Sequence, residues 1–186
     1  RSGAAERSLH ILQDTELLRE ITPELDEAPE GLWDSVAALD RYRQRFDAAP
    51  ETLTNAVLAG TLLVPLGLVG RRQRFSADAL ERRVELGMLS FARRDVEQLQ
   101  QMLALVPRLL DPNAPARPPR GLLQRHALPD AITWLEIHGD RPEVVRHWRT
   151  LMAEPAAEGA PADAMPPYPH RRRRRRRRRR PFGVRS

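Results

Sequence analysis

Ten consecutive arginines, Arg171 to Arg180, limit what this chain can fold into more than any other feature of it. Ten adjacent like charges cannot share a core, because mutual repulsion and solvation outweigh any packing they could gain, so this segment is either solvated or bound to something anionic. The run also divides the protein electrically. Residues 1–170 hold 20 arginines against 25 acidic residues, a balance of −5, whereas residues 171–186 hold 11 arginines and no acid, a balance of +11. The formal net charge of +6 is therefore the sum of an acidic body and a basic tail. No lysine occurs anywhere in the chain.

A body of about 150 residues buries roughly 70% of its extended-chain surface, enough for a true core. Its apolar content comes from Leu and Ala while Ile, Tyr, Phe and Trp are scarce, which favours helices over strands. The expected fold is all-α, with about seven helices followed by a disordered Pro-rich linker and an arginine-rich tail. Without cysteine there are no disulfides, thiol nucleophiles or Cys-ligated zinc, and the cytoplasm is the expected compartment. The most apolar stretch, Ala56–Gly70, is shorter than the roughly 20 residues of a bilayer span and is interrupted by Gly60, Thr61, Pro65 and Gly67, so it reads as a buried core helix. The start at Arg1-Ser2-Gly3 carries no secretory pattern and suggests a piece of a longer protein.

Leu9, Leu12, Leu17, Leu18 and Ile21 predict one helix over 4–21, stopped at Thr22-Pro23 and followed by a Pro-Glu-Leu turn. Leu32, Trp33, Val36, Leu39, Tyr42 and Phe46 predict a second over 30–48. Pro50-Glu51 is expected to open a third that ends near Gly67 or Gly70, and Ser76 to cap a fourth over 77–88. A longer helix from Ser90 through Leu110 turns Val96, Leu99, Met102, Leu103 and Val106 inward, with Pro107 disturbing its last turn. Asp111–Arg120, with four prolines, reads as a loop. Helices over Pro118–Ala127, over Pro129–His138 and from Pro142 follow, and the body closes near residue 152. Residues 153–170 form the linker and residues 171–186 the tail.

No catalytic constellation is visible. A phosphate-cradling Gly-rich loop, His-Glu-x-x-His and Gly-x-Ser-x-Gly are all missing from the sequence. His10, His126, His138, His147 and His170 lack metal-ligand spacing and read as surface or capping residues, so no metal is expected. Acidic residues at helix starts, among them Glu30 and Asp34, complement the helix dipole. Gly67-Leu68-Val69-Gly70-Arg71-Arg72 reads as a glycine helix stop, with a Gly-x-x-Gly backbone clamp as the alternative. The stretch that follows gathers Arg71, Arg72, Arg74, Arg82, Arg83, Arg93 and Arg94 against Asp78, Glu81 and Glu85. It is either a solvated helix face or an RNA-tracking patch. Arg171, Arg172, Arg173, Arg174, Arg175, Arg176, Arg177, Arg178, Arg179 and Arg180 are the main RNA-binding candidates, gripping phosphate without reading sequence, since only Tyr168 and Phe182 are near for base stacking. No lipidation motif or amphipathic helix accompanies the run, so a membrane is not the expected partner.

Ser8-Leu9-His10-Ile11-Leu12, Thr15-Glu16-Leu17-Leu18, Thr22-Pro23-Glu24-Leu25, the Arg94-Asp95-Val96-Glu97-Gln98-Leu99-Gln100 segment, Leu122 to Glu136 and the arginine-rich end occur in an order that resembles the C-terminal part of bacterial poly(A) polymerases, within the tRNA nucleotidyltransferase and poly(A) polymerase family. The resemblance implies a helical RNA-binding region whose parent transfers AMP from ATP to single-stranded RNA 3′ ends with Mg. It also implies that the N-terminal catalytic head is missing from this chain, which itself would need no cofactor. The family's glycine-rich nucleotide-binding signature and its Asp-x-Asp do not occur here, so no catalytic residue carries over. A CCA-adding tRNA nucleotidyltransferase is the related alternative. A non-enzymatic helical interaction module with a polyanion-binding tail is the alternative from another class.

Overall fold

The structure, a computed structural model, describes residues 2–69, 84–112 and 118–153. The expected linker and tail, residues 153–170 and 171–186, lie outside the described residues except for Ala153, which ends the last helix. The fold is all-α: nine helices and one two-stranded hairpin occur among the described residues.

Helix α1 (Ala5–Asp14) and helix α2 (Leu17–Ile21) replace the single helix expected over 4–21. The break lies where Thr15 bends its hydroxyl back to the Ile11 carbonyl (2.9 Å) and Glu16 adopts a left-handed backbone, φ 61°. A leucine stripe cannot reveal that break, since both halves keep helical spacing. The break lets Leu18 enter the core while Leu17 stays exposed. Helix α3 (Pro23–Asp26) is a single turn with proline in its favoured first position, in place of the plain turn expected.

Helix α4 (Glu30–Arg43) buries Leu32, Val36, Leu39 and Tyr42, as the stripe predicts, but stops short of Phe46, which is exposed. Helix α5 (Asn55–Leu63) starts later than Pro50 because Thr54 provides the cap, its hydroxyl accepting from Val57 N–H at 3.4 Å. It is the buried core helix expected from Ala56 onward, but it ends at Leu63 and not near Gly67 or Gly70. Gly60 makes its position possible: a Cβ there would lie 2.7 Å from Trp134 Cζ3 and 2.9 Å from Leu99 Cδ1.

Residues 84–88 do not form the end of the helix expected over 77–88. Residues 77–83 lie outside the described set, and Glu85–Leu86 (β1) pairs antiparallel with Leu89–Ser90 (β2), Leu86 opposite Leu89. A two-residue turn needs positive φ, and Gly87 supplies it at 55°. Its missing side chain also matters, because a Cβ would come within 2.1 Å of the Ile21 carbonyl oxygen, the atom that accepts from Met88 N–H at 2.8 Å.

Helix α6 (Arg93–Leu109) buries Val96, Leu99, Met102, Leu105, Val106 and Leu109 and runs through Pro107 without stopping there. Helix α7 (Arg120–Leu123) is shorter than expected. Helices α8 (Leu128–His138) and α9 (Pro142–Ala153) begin close to the prolines that predict them. Helices α4, α5, α6, α8 and α9 share the main core, in which Trp148 donates its indole N–H to the Leu109 carbonyl at 3.1 Å. Leu18, Leu25, Leu32, Val36 and Leu86 form a second, smaller core under α1 to α3 and the hairpin.

Candidate nucleic-acid interface

Of the seventeen arginines singled out in the sequence, Arg93 and Arg94 fall among the described residues. Arg71, Arg72, Arg74, Arg82 and Arg83 and the run from Arg171 to Arg180 lie outside them. Arg93 and Arg94 open α6, where the unpaired N–H groups already make the helix end positive and where acids are the stabilising choice. Arg93 is tied one turn on to Glu97, Nε to Oε1 2.8 Å. Arg94 is 92% exposed, with its neighbour Asp95 no nearer than 4.0 Å. That weak ion pair uses Asp95 Oδ1, while the Asn55 amide donates to Oδ2 at 3.2 Å.

Three histidines have packing roles that sequence spacing did not reveal. His10 stacks flat on Trp33, centroids 4.3 Å apart and planes 6° from parallel, joining α1 to α4. His138 is half-buried rather than on the surface. Its ring lies 4.0 Å from that of Trp134 and its Nε2 3.4 Å from Thr61 Oγ1, and burial pushes its pKa down from 6.5 to about 4. His126 is exposed and touches Gln98 across the α6–α8 contact: Gln98 Nε2 lies 3.0 Å from His126 Nδ1 and 2.9 Å from the buried Asp130 Oδ2.

A second basic group lies at the end of α4. Arg45 and Arg149 both engage the carboxylate of Glu136, Arg45 Nη2 at 2.7 Å from Oε1 and Arg149 at Oε2. The Arg45 guanidinium also sits over the rings of Tyr42 and Phe46, 5.1 and 5.7 Å from their centroids. Two guanidiniums on one carboxylate leave one positive charge over. The alternation of residue types gave no hint of this group, since its members are 91 and 13 residues apart in sequence.

No group of three or more His, Asp or Glu among the described residues could hold a metal ion. No helix of the described residues is long and apolar enough to cross a membrane. Comparison with protein-family models, with curated proteins and with solved structures found no match.

Proposed function

We propose that this chain is the RNA-binding part of a polynucleotide adenylyltransferase, holding single-stranded RNA while a separate catalytic head adds AMP to the 3′ end. The observation that carries the reading is the charge division: an acidic all-α body of −5 attached to a +11 segment containing ten arginines in a row. Such a segment attracts phosphate backbones by counterion release, independently of sequence. The ordered resemblance in residues 8–136 supports RNA as the polyanion and AMP transfer as the chemistry of the parent. Exposed Arg94, placed where helix stability favours an acid, agrees with a contact outside the arginine run.

The test is binding of a fluorescent oligo(A) across a salt series. Ten phosphate contacts by the run correspond to a slope of about −7 in log affinity against log salt, so deleting residues 171–186 is expected to remove most of that slope. Undiminished affinity and slope in the deletion would overturn the reading. Addition of A by a protein that joins this chain to an upstream nucleotidyltransferase head would separate AMP transfer from CCA addition.

A further inference from the structure

One surface cluster of the body is built outward from a buried acid. Asp130, 5% exposed, lies in the first turn of α8, and its carboxylate can only accept. Gln98 must therefore turn its amide nitrogen toward it, at 2.9 Å. That same nitrogen lies 3.0 Å from His126 Nδ1, and an amide nitrogen only donates. Gln98 Oε1 lies 3.3 Å from the same Nδ1, so the Gln98 amide meets that nitrogen whether it accepts or donates.

The Gln98 amide therefore anchors an exposed imidazole by its Nδ1 edge, and Nε2 has no hydrogen-bond partner among the described residues. Two cations accompany it. Arg94 lies one turn before Gln98 on α6, the i,i+4 spacing that puts two side chains on one face. It is 92% exposed, whereas its neighbour Arg93 is already tied to Glu97. Arg125, also exposed, immediately precedes His126.

We propose that Arg94, Arg125 and His126 grip a phosphodiester of single-stranded RNA, with Gln98 and Asp130 as positioning residues that fix the imidazole. The inference rests on the RNA-binding reading above and adds a defined contact in the helical body. A phosphodiester offers two oxygens at once, one for a guanidinium fork and one for the imidazole N–H. RNA is the occupant argued for because the arginine run draws the same polyanion to this chain.

The test uses the full chain with labelled histidines, titrated with an oligo(A) 12-mer. The His126 ring signals are expected to move saturably. Arg94→Gln is expected to weaken binding about threefold to tenfold and to flatten the salt slope by about 0.7, one single-strand phosphate contact. Arg108→Gln, about 21 Å away along the same helix, should change neither. Gln98→Met should keep the helical signal in circular dichroism while weakening oligo(A) binding and reducing the His126 response to it, an effect that a glutamine serving Asp130 alone would not produce. If the wild-type chain binds oligo(A) and the Arg94, Arg125 and His126 variants bind with the same affinity and slope, this contact is wrong and the RNA reading survives. Absence of salt-dependent oligo(A) binding by the wild type would sink both. A larger His126 response to a polyglutamate peptide of equal charge would make the occupant an acidic peptide and overturn the proposal.

Discussion

Gly60 and Trp134 are in contact where no side chain could stand between them: a Cβ on the glycine would lie 2.7 Å from Cζ3 of the indole. Leu99 closes the same spot from α6 at 2.9 Å, so α5, α6 and α8 converge on one missing methyl group. Interiors packed at crystal density do not absorb even one extra carbon without displacement.

Gly60→Ala is therefore expected to destabilise the body by about 1–3 kcal/mol, although alanine is the better helix former. Urea unfolding of the two proteins checks this, and equal midpoints would show that Trp134 and Leu99 have room to move.

Asp40 holds the first helix from a different one. Its Oδ1 and Oδ2 accept from the backbone N–H groups of Ala5 and Glu6 at 3.0 and 2.9 Å, doing for α1 the work of an N-cap that Ala4 cannot do. Because α1 buries none of its residues, its attachment depends heavily on this bond pair, the His10–Trp33 stack and the half-buried Leu9 and Leu12. Asp40→Ala is expected to cost about 1–2 kcal/mol and to speed amide hydrogen exchange at Ala5 and Glu6 more than at α5. Uniform acceleration across the body would contradict this.

His138 sets a pH dependence. Its folded pKa, lowered by burial to about 4, lies below its ordinary 6.5, so the unfolded chain binds the proton more readily. The stability it permits is fully present above about pH 6.5 and is lost as pH falls from there toward 4, on the order of 2–3 kcal/mol. Carboxylates act in the same acid range, so the informative comparison is between wild type and His138→Gln. The variant should lose less stability between pH 7 and pH 4, and parallel profiles would contradict the assignment.

Arg94 opposes stability where it stands. Replacing it with glutamate exchanges an unfavourable charge for a favourable one at the positive end of α6, worth about 0.3–1 kcal/mol toward the fold. Arg94→Glu should raise the melting temperature slightly and weaken oligo(A) binding at the same time. A variant improved in stability with RNA affinity unchanged would leave the arginine without a ligand.

Much of the helical frame could be read from spacing and proline. Leu32, Val36 and Leu39 lie inward as their periodicity requires, and α8 and α9 start close to Pro129 and Pro142. Local signals failed where tertiary contacts decide. The break at Thr15-Glu16 preserves a leucine pattern that suits one helix. The hairpin at Gly87 is set by its approach to Ile21, 66 residues earlier, which no local pattern encodes. The candidate interface divides in the same way. Arginine crowding was evident from composition, but Gln98, His126 and Asp130 are joined only when α6 meets α8. Glu136 likewise gathers Arg45 and Arg149 from distant segments.

The indole bond from Trp148 to the Leu109 carbonyl also has a mechanical meaning. It fastens α9, the last described helix, to the final turn of α6, while Val145 and Trp148 are sunk in the main core. Tension applied through the backbone beyond Ala153 therefore reaches the main core through α9, by way of Val145, Trp148 and the single bond to α6.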